Sequence, residues 1–221
     1  MTTASAETAL FAILRQRMVE LQLRGRGIAD ERVLGAMLRV ARHEFVPERS
    51  RNLAYEDQPL PIGEEQTISQ PYIVALMLEA LALGANDKVL EVGTGSGYLT
   101  ALLAELAAQV FSVERHASLA LESQRVLDCM GYRNVKIVIG DGSVGLPEYA
   151  PYDAIIVSAA AAELPPALVS QLRESGRLII PVGPADAQYL QFIRRQEGVP
   201  QISIRDACRF VPLIHGSVGV N

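Results

Sequence analysis

Gly93, Gly95 and Gly97 stand at alternate positions directly after the apolar run Val89, Leu90 and Val92, and before a helical apolar pattern that begins at Tyr98. Glycine lets the backbone adopt positive φ and removes the Cβ atom, so a ligand can lie against the peptide groups at a helix start. The spacing predicts a strand, a tight turn and a helix built to hold a nucleotide-like ligand. Two carboxylates and a serine elsewhere have positions that could do chemistry with it. Glu114 ends a second apolar run, Gln109 to Val113, about twenty residues past the turn, where an acidic side chain can accept both hydroxyls of a ribose. Asp141, between Gly140 and Gly142 at the end of a third run, either accepts from an adenine amino group or stabilises a turn. Ser69 precedes Pro71 and the apolar face Ile73, Val74, Leu76, Met77 and Leu81. It either caps that helix or, with the free N–H groups of the helix start, holds a carboxylate.

Charge and spacing narrow the ligand. A pyrophosphate fingerprint wants its third glycine at position 98, where Tyr98 stands. Glu91, just before the turn, would repel a pyrophosphate and attract an ammonium or sulfonium group. These residues point to a cationic adenosine compound, S-adenosylmethionine.

The elements that must position these residues follow in order. Leu10, Ile13, Leu14, Met18 and Leu21 give one helical face from about Thr8 to Leu23, and Asp30 is placed to cap a second helix with the face Val33, Leu34, Met37, Leu38 and Ala41. The basic residues Arg15, Arg17, Arg24 and Arg26 are expected on a solvated face. His43 to Gln70 is rich in Pro, Gly and charge and has no periodicity, which marks a functional loop. Beyond the glycine turn and the second strand, a helix runs to about Met130, then Lys136 to Ile139 and Ala154 to Val157 read as strands. Small residues follow the latter, Ser158, Ala159 and Ala160, leaving room above the strand ends. A helix is expected over Leu168 to Leu172, a fifth strand over Arg177 to Gly183, and a hairpin of Tyr189 to Arg194 with Ile202 to Phe210. The fold class is therefore α/β: a doubly wound, mostly parallel seven-stranded Rossmann-like sheet, with an antiparallel C-terminal hairpin and an N-terminal helical cap. The expected organisation is one domain over residues 1–221, divided into a cap (1–45), a substrate loop (46–72) and a cofactor-binding core (73–221).

A chain of 221 residues can bury such a core without disulfides or metals. The net charge of −5 and the lack of any dense Lys/Arg cluster argue against a nucleic-acid partner. No apolar run approaches membrane-spanning length, and the N-terminus has no basic region or cleavage site of a leader, so no membrane association and a cytoplasmic location are expected. Cys129 and Cys208 are too few and too far apart for a metal knuckle; they are expected to be free, buried thiols, and no metal is expected. His43, His116 and His215 are read as solvated or structural, since none pairs with an acid and a nucleophile.

The chain resembles the protein-L-isoaspartate O-methyltransferase family from about Leu21 to Leu213. The matching motifs include FVP at Phe45 to Pro47, PLPIG at Pro59 to Gly63, QTISQPY at Gln66 to Tyr72, VLEVGTGSGY at Val89 to Tyr98, GDG at Gly140 to Gly142, GRLIIPVG at Gly176 to Gly183 and FVPL at Phe210 to Leu213. The glycine motif is common to many methyltransferases, whereas QTISQPY and FVPL are much more specific. The resemblance implies transfer of the S-adenosylmethionine methyl group to the α-carboxylate of an isoaspartyl residue in damaged peptides and proteins; a monomer is expected. It implies Ser69 as the active-site residue and cofactor contacts from Gln66, Thr67, Ile68 and Ser69. It also implies contacts around the turn from Glu91, Gly93, Thr94, Gly95 and Gly97, and at the later strand ends from Glu114, Arg115, Asp141 and Gly142. A different carboxylate acceptor is the alternative. Glu64 and Glu65 bear on it, because they place negative charge beside a loop that must receive an anion.

Overall fold

The computed structural model describes residues 3–216, with side chains from Ala9 onward; residues 1–2 and 217–221, the extremes of the expected cap and core, lie outside the described residues. Each apolar run named above forms a strand of one sheet: β3 (Lys88–Val92), β4 (Gln109–Glu114), β5 (Val135–Ile139), β6 (Tyr152–Val157), β7 (Leu172–Val182), β8 (Gln188–Gln196) and β9 (Val199–Cys208). Their order is β5-β4-β3-β6-β7-β8-β9. The first five are parallel, and β8 runs antiparallel to both β7 and β9. The chain thus turns outward in both directions from β3 and β6, and the crevice over the C-terminal ends of these two strands is where open α/β sheets bind ligands.

Strand alternation divides the interior in two. Val89, Ala154, Ile156 and Ile179 face one core, which also holds Leu102 and Leu103 of α4 (Tyr98–Leu106) and Leu127 of α5 (Ala117–Cys129). Leu90, Ile155, Val157, Leu178 and Ile180 face the other, closed by Leu146 and by Leu168 of α6 (Pro166–Ser170). The expected helix over Leu168 to Leu172 begins and ends earlier, because Leu172 already pairs with Tyr152 in the sheet.

The N-terminal segment packs into the first core. It consists of α1 (Thr3–Arg17), a π-helical turn (Met18–Leu23) and α2 (Glu31–Arg39), which Asp30 caps through the N–H groups of Arg32 and Val33. The apolar face expected for α1 is wrong in part: Leu10, Ile13 and Leu21 are exposed, while Phe11, Met18, Val19 and Leu23 are buried. Apolar residues cover more than half of that helix, so period alone leaves the face open, and the π turn then shifts the register. Leu38 on α2 is likewise exposed. Arg24 pairs with Glu20 and Glu31, and Arg26 with Asp57, rather than standing free in solvent.

The segment read as an aperiodic loop holds a hairpin, β1 (Leu60–Gly63) and β2 (Gln66–Ile68), whose register leaves Glu64 and Glu65 as its two-residue turn. Both have positive φ, 49° and 57°. That conformation suits a tight hairpin but is one in which Asn and Gly are favoured, so the sequence signal was absent. After the hairpin comes α3 (Pro71–Leu81).

Candidate active site

The glycine turn follows β3, with φ of 91° at Gly93, 54° at Gly95 and 85° at Gly97, a region that side chains strongly disfavour. It is held from beneath: Glu114 accepts the Gly95 N–H at 2.9 Å and the His116 N–H at 2.9 Å, and the Ser123 hydroxyl donates to the Gly95 carbonyl at 2.6 Å. Tyr98 occupies the place of a third fingerprint glycine because it links the turn to the cap. It is buried, donates to the Met37 sulfur and meets Phe45 edge-on. Gly142 also requires glycine, since a Cβ there would sit 2.5 Å from a Val92 methyl.

Over this turn lies a cleft of about 900 Å³ counting its open mouth, walled by β2, the turn, the tips of β4 and β6, and the segment Val211 to Ile214. Of the expected cofactor contacts, Gln66, Thr67, Ile68, Ser69, Gly93, Thr94, Gly95, Glu114, Arg115 and Gly142 line it. Gly97 does not; its backbone begins α4 and lies against Ser123 instead.

Glu91 corrects the reasoning about ligand charge. It is wholly buried below the turn, out of the cleft, where it accepts from the hydroxyls of Thr100 and Ser112 at 2.6 Å each. Burial pushes its carboxyl up to about 8, against which these hydrogen bonds act only in part. Glu91 is thus largely a neutral acid at pH 7 and attracts no sulfonium. It acts on the turn indirectly, since Ser112 also bonds the Thr94 hydroxyl at 2.6 Å.

Asp141 is one residue outside the cleft wall. One oxygen accepts from the Ser143 N–H and hydroxyl, the other from the Gly216 N–H. Burial alone would raise its carboxyl, but these bonds outweigh burial and hold it below the ordinary range. The bonds to Ser143 stabilise the turn, one of the two readings open in the sequence. Arg115, at the cleft, donates to the Ile214 carbonyl at 2.8 Å. With the pair of bonds between Ala160 and the Val211–Leu213 backbone, both at 2.7 Å, these contacts strap the C-terminal segment across the strand ends.

Ser69 is not the helix cap. Gln70 holds that position, and Asp57 reaches back from the loop to take the Tyr72 N–H at 3.0 Å and the Gln70 side-chain amide at 2.7 Å. Pro71 has no N–H, so little of the helix start remains for a carboxylate. The Ser69 hydroxyl, half-buried and without a hydrogen bond among the described residues, is left to a ligand. Its backbone is fixed by Arg42, a side chain the sequence did not single out. This fully buried guanidinium donates to the carbonyls of Ser69 and Ala54 at 2.8 Å each and lies 4.9 Å from the Tyr98 ring centre. Burial pulls it down to about 10, so it remains charged at neutral pH.

Other residues not assigned to the site in the sequence line the cleft: His116, expected to be solvated or structural, and Pro212 and Leu213 of the FVPL motif. Glu64 turns away from Ser69; its carboxylate accepts from the Ser118 hydroxyl at 2.6 Å and lies 3.7 Å from His116, joining the hairpin tip to the start of α5. Cys129 is exposed rather than buried, and Cys208 is half-buried; both are free. Among the described residues, no group of acidic, His and Cys side chains could hold a metal, and no helix is long and apolar enough to cross a membrane.

A seven-stranded sheet of this order, with a glycine turn under an acidic second-strand tip and a cleft at the switch between β3 and β6, defines a Rossmann-like methyltransferase. The protein-L-isoaspartate(D-aspartate) O-methyltransferase profile matches residues 14–218. A relative from Koribacter versatilis, a protein-L-isoaspartate O-methyltransferase, is 55% identical over 211 residues, covering 96% of this chain and 95% of its own. One from Methanoculleus marisnigri with the same name is 54% identical, over 90% of this chain and 91% of its own. Two solved structures agree at 30% identity. A protein-L-isoaspartate O-methyltransferase superposes with TM-score 0.83 over 93% of this chain and 67% of that one. A Plasmodium falciparum protein assigned the same activity, in complex with S-adenosyl-L-homocysteine, gives 0.79 over 90% and 97%. The chain belongs to the protein-L-isoaspartate O-methyltransferase family, whose methyl donor is S-adenosylmethionine.

The residues present fit that donor. The cleft has room for a nucleoside, and the Glu114 oxygens keep lone pairs for ribose hydroxyls after binding two N–H groups.

Proposed function

We propose that this chain methylates the α-carboxylate of isoaspartyl residues in damaged proteins, and that Ser69 orients that carboxylate. The observation that carries the reading is the Ser69 hydroxyl on the cleft wall, which has no hydrogen bond among the described residues while the Ser69 backbone carbonyl is held by Arg42. Glu114 and the turn residues Gly93 to Gly95 would hold the adenosine portion, with Gln66 to Ile68 covering it. When bound, S-adenosylmethionine supplies an electrophilic methyl group. The acceptor is already ionised at neutral pH, so the protein needs no general base. Its task is to align carboxylate and methyl carbon and to exclude water, and such orientation is worth at most roughly 7–11 kcal/mol. In the methylated product, attack by the following backbone nitrogen on the ester expels methanol and gives a succinimide, whose hydrolysis returns part of the material to aspartate.

The same reading takes residues 1–45 as a cap, 46–72 as the substrate-facing segment and 73–221 as the cofactor-binding core of one domain. It also takes the protein as a monomer; absence of a nucleic-acid partner is supported by the net charge of −5, and a cytoplasmic location by two free thiols.

Ser69→Ala tests the assignment. Loss of one orienting hydrogen bond should lower kcat by about 10- to 100-fold while the Kd for S-adenosylmethionine, measured by calorimetry, stays within about twofold. Equal losses in both would make Ser69 a cofactor contact instead.

A further inference from the structure

The site does not end at Ser69. A second cavity, about 670 Å³ counting its open side, adjoins the first and shares Thr67, Ser69, Ser158 and Val211 with it. Pro59, Ile73 and Phe210 make its apolar walls, and Arg209 is its one charged lining residue. The adjoining Cys208 thiol is neutral, pushed up by burial to about 11.

Arg209 differs from the other arginines near the site. Arg42 and Arg115 spend their guanidinium groups on backbone carbonyls, and Arg205, on β9, lies over the Phe192 ring at 5.4 Å. Arg209 is exposed and has neither hydrogen bond nor ion pair among the described residues. A free guanidinium beside an otherwise uncharged cavity is suited to a carboxylate, which it can bind through two parallel N–H groups.

With cofactor in the first cleft and the acceptor carboxylate at Ser69, the second cavity, which shares Ser69 and opens to solvent, is a path for the chain on one side of the isoaspartate. Successive Cα atoms are about 3.8 Å apart, so a neighbouring side chain comes within reach of its walls. We propose that Arg209 selects isoaspartyl peptides with an acidic side chain directly next to the isoaspartate on one side. This rests on the isoaspartyl reading of the site above.

The test uses two series of isoaspartyl peptides, with Glu, Gln or Lys placed next to the isoaspartate on its C-terminal side in one and its N-terminal side in the other. In at least one series the wild type should show a KM for the Glu peptide roughly two- to fivefold below that for the Lys peptide at similar kcat, the size expected of an exposed charge pair. The difference should shrink at high salt. Arg209→Gln should erase it and Arg209→Glu reverse it, while Arg205→Gln, on β9 just before Arg209 but outside the cavity, should leave it unchanged. Equal KM values for all wild-type peptides, or a preference that survives Arg209→Gln, would overturn the proposal. Failure to methylate any isoaspartyl peptide would instead overturn the functional reading beneath it.

Discussion

A carboxyl sealed under the glycine turn makes stability depend on pH. Glu91 titrates near 8 in the folded chain against 4.5 ordinarily. Between those values the folded chain keeps a proton that the unfolded chain has released, so stability falls as pH rises through this window. The contribution is whole below about 4.5 and gone above about 8. Glu91→Gln removes the titration while preserving shape and one oxygen acceptor for Thr100 and Ser112. Thermal melts at several pH values from 5 to 8 should therefore show the wild type losing ground to the variant as pH rises, by at most about 1.4 kcal/mol per pH unit. Parallel pH profiles would contradict a buried neutral acid. At this scale the sequence identified Glu91 as important but not how, because a one-dimensional pattern does not say which face of a buried strand meets the ligand. Arg42 gave no signal at all: an arginine next to a histidine and a glutamate reads as surface, and only the folded loop brings the carbonyls of Ala54 and Ser69 to it.

The elements were legible wherever period and punctuation agree. All seven strands of the main sheet, the glycine turn and the Asp30 cap follow from apolar runs and breakers. The β1–β2 hairpin did not, since its turn is Glu64-Glu65, with Pro61 in one strand, and neither feature announces a hairpin. That turn carries backbone strain at both positions. Glu65→Gly should relieve it and raise the Tm by about 2–4 °C, corresponding to about 1 kcal/mol, while Glu64 keeps its bond to Ser118. An unchanged or lower Tm would show that the left-handed geometry carries no net cost. The Glu64 carboxylate at this tip bonds Ser118 of α5, so Glu64 gives no reason to expect an altered acceptor.

At the scale of the molecule, the parts act as one clamp around the switch between β3 and β6. The cap reaches the turn through Met37 and Tyr98, the hairpin covers it from one side, and the C-terminal segment is strapped down by Ala160, Arg115 and Asp141 from the other. Such a frame suits a reaction that needs alignment more than acid–base chemistry. The most direct measurement is transfer of labelled methyl from S-adenosylmethionine to two synthetic peptides identical except for one isoaspartyl or aspartyl linkage. The account predicts label on the isoaspartyl peptide only. Equal labelling of both, or of neither while the cofactor still binds, would contradict it.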